Sequence, residues 1–426
     1  MGGETRRRAA APALVRRRWS PAMSGRSGWP DRRRAYALVV AGAASYTCLL
    51  FVWFTLPAYL SVVAADLGLS STEAGVLAGA VPLTYVPLAL VSGLAVDRIG
   101  PARSLAAGLV VFGTAQVGRS AATGFRSMLA FTLLLGVGAT AITFGLPKLV
   151  AVLFPPEGTG LPSSLYLVGA SAGTAAAFGL GRPLVGPWLG GWRPLFRWSG
   201  AVAVGYAVVW LALVRLADVE PRSARDDPGL APGSLQGDAR AVLTHPELRL
   251  VVLVGATYLL VIHGLQGWLP TVLEARGLSA ARAGRATTLL VGANAVGILA
   301  VPAVADSHDA RRTAVVACGL LAAAGVLAVL AGGTTLLAAA GIVGAGVGVG
   351  GLSPLVRAIP PDLDNVGPGL TGAAVGLVFA VGEIGGFLGP AAVGTLHDLT
   401  GSYLPGLAVL AGGGAVAAAA GLAMDG

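Results

Sequence analysis

Three charged side chains stand where charge is expensive. Lys148 is the sole lysine among 29 Lys and Arg residues, and it lies inside the apolar stretch ITFGLPKLVAVLFPPEG at 141–157. Arg182 and Glu383 also interrupt long apolar runs. A charge in hydrocarbon costs at least about 2.5–3.5 kcal/mol on insertion scales. Lys148 is six residues from Phe154, about 9 Å along a helix, so its ammonium can reach an interface by snorkelling. Arg182 precedes Leu189 by seven residues, about 10 Å on the same rise, and can snorkel toward Trp188 and Trp192. Glu383 is short and near the middle of its run, so it must be protonated, paired or in contact with water. Together, two cations and one titratable acid facing a cavity would form an anion site with a proton switch. The alternatives are two snorkelled cations and a neutral acid in a structural hydrogen bond.

Weaker candidates surround these three. Tyr46, Trp53, Tyr85, Tyr258, His263, Gln266 and Asn294 place polar edges within apolar runs. Each can contact a ligand or act as helix–helix glue. His263 carries an imidazole able to move protons. Cys48 and Cys318 sit in apolar runs and read as packing side chains, with no disulfide framework or metal site. No catalytic constellation is present, and no phosphate-cradling loop is followed by Lys and Ser/Thr. No cofactor is expected.

The elements that must hold these residues follow from composition. The 426 residues are 55% hydrophobic and 12% charged, with mean hydropathy +0.77; a soluble chain averages about 25% charged. Twelve apolar runs are long enough to span a bilayer, which needs roughly 20 residues each. They fall near 36–62, 74–96, 102–121, 127–153, 162–188, 194–216, 247–272, 284–304, 312–331, 334–357, 369–395 and 403–423. A backbone in lipid must satisfy its own hydrogen bonds, and runs of this length do so as helices. The fold class expected is an all-α polytopic membrane protein. Glycines such as Gly341, Gly344, Gly348, Gly382 and Gly386 then let helix backbones approach closely.

Arginine placement sets orientation. With the N-terminus in the cytoplasm, twenty arginines fall inside, ten of them before residue 35, and seven fall outside. That bias puts both termini in the cytoplasm and makes the net charge of +9 a matter of topology, with no nucleic-acid partner. Residues 1–34 read as a disordered arginine-rich cytoplasmic tail resting on anionic lipid, without a cleavable signal; Met23 is an alternative start. Residues 217–246 are polar and read as a cytoplasmic linker between a first half, 35–216, and a second, 247–426.

The halves echo each other. GLSSTEAG at 68–75 returns as GLSAARAG at 277–284, and AVDRIGPAR at 95–103 as VADSHDARR at 304–312, so that Asp97 falls on Asp306 and Arg103 on Arg312. Gly-Pro at 186–187 matches Gly-Pro at 389–390. Six spans, a polar linker and six similar spans indicate two repeats about an axis along the membrane normal.

GLAVDRIGPAR at 93–103 resembles the loop signature of the major facilitator superfamily, although Pro101 and Ala102 stand where basic residues are usual. The stretch from Gly145 to Gly169, with GGWRPLF at 190–196, resembles the anion:cation symporter and cyanate- or nitrate-type permeases of that superfamily. The drug-antiporter arginine of span four is missing near Thr132, and Arg182 replaces an expected glycine before GPWLGG. The resemblance implies a two-halved, twelve-helix fold, no enzyme activity, and alternating access at the cytoplasmic membrane. Its cavity would be lined by spans one, four, seven and ten, which favours Tyr46, His263 and Gln266. Asp97, paired with Arg98 or Arg103, would latch the cytoplasmic face, with Asp306 and Arg312 as the second-half echo. The function implied is a monomeric secondary transporter of a small inorganic or carboxylate anion, coupled to protons or by exchange. Lys148, Arg182, Tyr46, His263, Gln266, Asn294 and Tyr85 would bind substrate, and Glu383 would carry the proton. A proton-driven exporter of neutral or amphipathic compounds is the alternative. A receptor or scaffold on the same fold is a third reading.

Overall fold

A computed structural model describes residues 30–217, 235–332, 335–363 and 366–424. The described residues are helical throughout, with no strand among them. The tail up to residue 29 and residues 218–234 of the expected linker lie outside the description.

The sequence repeat at residues 68 and 277 is a stop–start signal. Helix α1 spans Arg32–Ala58 and α2 spans Leu60–Leu67. Gly68 then turns the chain with φ +63°, and Ser70 caps α3 (Ser71–Ile99). The Ser70 hydroxyl accepts from the Glu73 amide while the Glu73 carboxylate accepts from the Ser70 amide, closing a capping box. Helices α4 (Pro101–Ser120) and α5 (Phe125–Leu153) follow. The fifth span comprises α6 (Gly160–Ala176), a π-helical stretch at Ala177–Val185, and α7 (Gly186–Leu189). Helix α8 covers Trp192–Ala217.

Within the expected linker, Leu235–Thr244 forms α9. Helix α10 (Pro246–Ala275) ends the same way as α2. Gly277 takes φ +91° and Ser279 caps α11 (Ala280–Ser307), accepting from the Arg282 amide. Helices α12 (Arg311–Gly332), α13 (Leu336–Ala358), α14 (Pro368–Thr400) and α15 (Leu404–Ala423) complete the chain.

Three spans depart from the expected runs. The first breaks at Tyr59, just after Pro57, so its end becomes the separate α2. The third span, α4, falls short of the apolarity of a membrane crossing because Arg103, Gln116 and Arg119 lie on it. Ten described helices are long and apolar enough to cross, and α3, bent by 66° around residue 90, makes an eleventh. The third departure is the π stretch of the fifth span, which holds Gly179, Gly181 and Pro183. Such residues loosen the regular bonding ladder.

Each half has its own apolar core. In the first, Leu49, Leu105, Phe112, Leu135, Ile142 and Trp210 are buried together. In the second, Val251, Leu265, Leu290, Val326, Val349 and Leu410 are. Small residues set the spacing: Gly325 and Gly341 face each other's carbonyls across α12 and α13.

Among the described residues, the strongest polar contacts between the halves gather toward one end of the bundle. There α3 lies along α14, and a Cβ on Gly394 would stand 2.0 Å from the Ser71 carbonyl oxygen. The Asp398 carboxylate accepts from the Ser71 and Thr72 amides at 2.9 and 2.7 Å, joining the start of α3 to the end of α14. The Ser71 hydroxyl bonds His397 Nδ1 at 2.9 Å. Among the described residues, no hydrogen bond or ion pair joins the halves at the opposite end, which carries Asp97 and Asp306. The bundle is therefore open at the Asp97 end and latched at the Asp398 end.

Gly394→Val should wedge this latch apart. In a background lacking Cys48 and Cys318, a cysteine placed at Ser61 should become more reactive toward a membrane-impermeant maleimide. Unchanged reactivity would mean that the α3–α14 contact does not set the state of that end.

Candidate functional site

Pairing sorts the buried charges. The Lys148 ammonium, on α5, sits against the Asp97 carboxylate at the end of α3 and donates to the Gly93 carbonyl at 3.1 Å. The expected partners of Asp97, Arg98 and Arg103, are exposed and not bonded to it. Lys148 is thus neutralised at the open end and is not an uncommitted cation in the cavity. In the second half Asp306 takes Arg311 at 2.7 Å, whereas Arg312 donates to the Gly421 and Leu422 carbonyls at the end of α15. The echo of the loop motif therefore holds a neighbouring helix end and pairs through Arg311, not Arg312.

Arg182 is committed as well, at the latched end. Its guanidinium reaches Glu274 of α10 at 3.2 Å, and the two side chains are only 16% and 18% exposed. Its Cζ lies 4.6 Å from the Tyr59 ring centroid, and the Tyr59 hydroxyl donates to the Arg182 carbonyl at 3.3 Å. Ser61 donates to the other Glu274 oxygen at 2.7 Å. The break at Tyr59 and the π stretch present these groups to each other across the two halves. Snorkelling to solvent does not describe Arg182: it joins the first half to α10 of the second.

Arg119, expected in an outside loop, is fully buried in the first half. It donates to the Gln116 amide oxygen at 3.0 Å and lies over Phe196. Gln116 in turn donates to Thr55 and Ser199. This network joins α1, α4 and α8.

The centre of the bundle is aromatic. Trp53 lies 6.1 Å from Tyr85 and 5.8 Å from His263, ring centre to ring centre. Tyr85 lies 6.1 Å from Phe144, and Tyr46 lies 6.2 Å from Tyr166. The Tyr85 hydroxyl bonds Thr143 at 2.8 Å. Five elements, α1, α3, α5, α6 and α10, thus supply one wall. Glu383 of α14 lies within electrostatic reach of the Tyr46, Tyr85 and Tyr258 hydroxyls, and one of its carboxyl oxygens is buried without a protein partner. His263 packs against Gly386, one turn further along α14, with Nδ1 also unpartnered.

Two other candidates lie elsewhere. Gln266 is buried in α10. Asn294 lies at the α11–α13 contact, its backbone facing Gly346 and Gly350.

One residue near the tyrosine hydroxyls was not a candidate from sequence, being one of the twenty arginines expected inside. Arg357 is near the end of α13, exposed, with its Cζ 4.7 Å from the Phe379 ring. It lies within reach of the Tyr46, Tyr166 and Tyr258 hydroxyls. Among the described residues it has no carboxylate partner. A signal for it exists in the sequence: GLPKLV at 145–150 returns as GLSPLV at 351–356, each followed shortly by Pro-Pro. Arg357 therefore lies within about a turn of the place that Lys148 occupies in the first half, but no aspartate neutralises it.

Two six-helix groups, latched at one end and parted at the other around a polar-lined centre, define a membrane carrier. The family model described as Major Facilitator Superfamily matches residues 39–390, and the chain belongs to that family. It is 27% identical over 373 residues to the uncharacterized transporter YycB of Bacillus subtilis (strain 168), covering 84% of this chain and 87% of that one. It is 28% identical over 378 residues to a putative tartrate transporter of Agrobacterium vitis, covering 82% and 83%. It is 26% identical over 336 residues to the cyanate transport protein CynX of Escherichia coli (strain K12), covering 76% and 81%. The fold matches the crystal structure of the nucleoside transporter NupG (D323A mutant) with TM-score 0.74 at 14% identity, covering 92% of this chain and all of that one. The chain is a multi-pass membrane transporter and not an enzyme.

Lys148→Met should move Tm by no more than a few degrees, because a half-exposed ion pair contributes about 1 kcal/mol or less. Anion affinity should be retained, since Lys148 is already paired with Asp97 whereas Arg357 has no carboxylate partner among the described residues. Calorimetric melting and anion titration of the purified variant test both points, and a large loss of affinity would return Lys148 to the binding site.

Proposed function

We propose that the chain is a secondary active carrier of small anions, coupled to protons and working by alternating access in the cytoplasmic membrane. The Asp97 end faces the cytoplasm, so the molecule is open inward and closed outward. Arginine bias supports that orientation, with both termini inside. The observation that carries the reading is Glu383. It is an acid deep in a membrane helix, within electrostatic reach of three tyrosine hydroxyls, with one buried oxygen that has no partner in the protein. An ionised carboxylate there would be too costly without a partner, so its protonation must change with the state of the cavity. Relatives named for tartrate and cyanate, both anions at neutral pH, support an anionic substrate.

The cycle follows from the contacts. In the inward-open state Glu383 can release its proton to the cytoplasm, and substrate exchanges over Arg357. Closing that end brings the halves together near Lys148 and Asp97. Opening the other end requires Arg182 to leave Glu274 and Asp398 to leave the start of α3.

Glu383→Gln mimics the neutral acid and cannot release a proton. In proteoliposomes with an imposed pH gradient it should abolish uphill accumulation of the anion and leave counterflow exchange intact. Accumulation at the level of the unaltered chain would overturn the assignment of the proton to Glu383.

A further inference from the structure

We propose that the substrate is a planar aromatic monocarboxylate, with its ring held by the aromatic wall and its carboxylate held by Arg357. The inference rests on the anion-carrier reading and narrows its substrate class.

Charge fixes the valence. Among the described cations within the spans, Lys148 is neutralised by Asp97 and Arg182 by Glu274. Arg119 is sealed inside the first half. Arg357 lies within electrostatic reach of the Tyr46, Tyr166 and Tyr258 hydroxyls and, among the described residues, has no carboxylate partner. One cation matches one carboxylate. A dicarboxylate would leave its second charge facing Glu383 or an apolar ring, with nothing to offset the loss of water.

The rest of the site fixes the body. Trp53, Phe144, Tyr46 and Tyr166 are partly buried against the first-half core, and each keeps some accessible surface. The spacings from Trp53 to Tyr85 and His263, and from Tyr85 to Phe144, fall within the range of interacting aromatic pairs. A small inorganic anion gains nothing from such a wall, and it would lose its hydration there. An aliphatic hydroxy acid needs several donors for its hydroxyls, and the wall offers few. A ring gains about 0.5–1.5 kcal/mol per aromatic contact beyond simple burial.

The arginine is preorganised for the task. Phe379 lies against its guanidinium, a stacking that leaves the edge free to bond a carboxylate through two parallel N–H donors. A ligand with its carboxylate on Arg357 would point its ring toward the tyrosines around Glu383.

The test is calorimetric titration of the purified full-length protein with benzoate, phenylacetate, cyclohexanecarboxylate, succinate and cyanate. Benzoate or phenylacetate should bind at least several-fold more tightly than cyclohexanecarboxylate, which has similar bulk but no π face. Both should bind more tightly than succinate or cyanate. Arg357→Gln should lower aromatic-acid affinity at least tenfold, with partial rescue by Arg357→Lys. Phe144→Leu should erase the preference for benzoate over cyclohexanecarboxylate while retaining carboxylate binding. The ligand panel on the unaltered chain decides even where a variant fails to fold. Tighter binding of cyanate or succinate would overturn this inference and leave the anion carrier standing. Binding of none of these anions by folded protein would overturn both.

Discussion

The cost of an unpaired charge in hydrocarbon governs how this molecule is arranged. Lys148 and Asp97 neutralise each other at one end, and Arg182 and Glu274 at the other. Each pair can exist only where two particular helices lie side by side, so each fixes a local geometry as well as offsetting a penalty. Two charges of the second half, Arg357 near the end of α13 and Glu383 near the middle of α14, meet no opposite charge among the described residues.

The two ends differ in kind. At the latched end the contacts cross between halves: Arg182 to Glu274, Ser61 to Glu274, Asp398 to the first turn of α3. Among the described residues, the ion pairs at the open end lie within a half: Lys148 to Asp97 and Arg311 to Asp306. The first set holds the halves together, and the second stiffens each half separately. This division lets the halves rock as units, because opening one end need not disturb the internal packing of either.

Much of the fold was legible in the sequence because lipid leaves few choices. Long apolar runs must be helices, and a repeated Gly-Leu-Ser motif reads out as a left-handed glycine followed by a serine cap in both halves. What was not legible depends on azimuth and on docking. Sequence placed Lys148 at a depth, but not on the side of α5 that faces α3, so Asp97 was paired with a nearby arginine instead of with Lys148. Glu274 falls just past the end of an apolar run and looks like a loop charge. Only the break at Tyr59 and the π stretch bring Ser61 and Arg182 to it. Arg119 and Arg357 sit near span ends, where arginine usually marks topology. One is buried and the other stands over the cavity, and hydropathy cannot separate those outcomes. The aromatic wall draws one or two residues from each of five helices, none of which signals by itself.

The scarcity of lysine has a practical side. Apart from the chain terminus, Lys148 is the only aliphatic amine in the protein. It lies half-exposed at the end where the halves part, with its charge held by Asp97. The molecule therefore carries its own reporter: an amine-directed reagent entering from the open side meets a single nucleophile, and its rate of modification reads the protection of one contact in one state of the cycle.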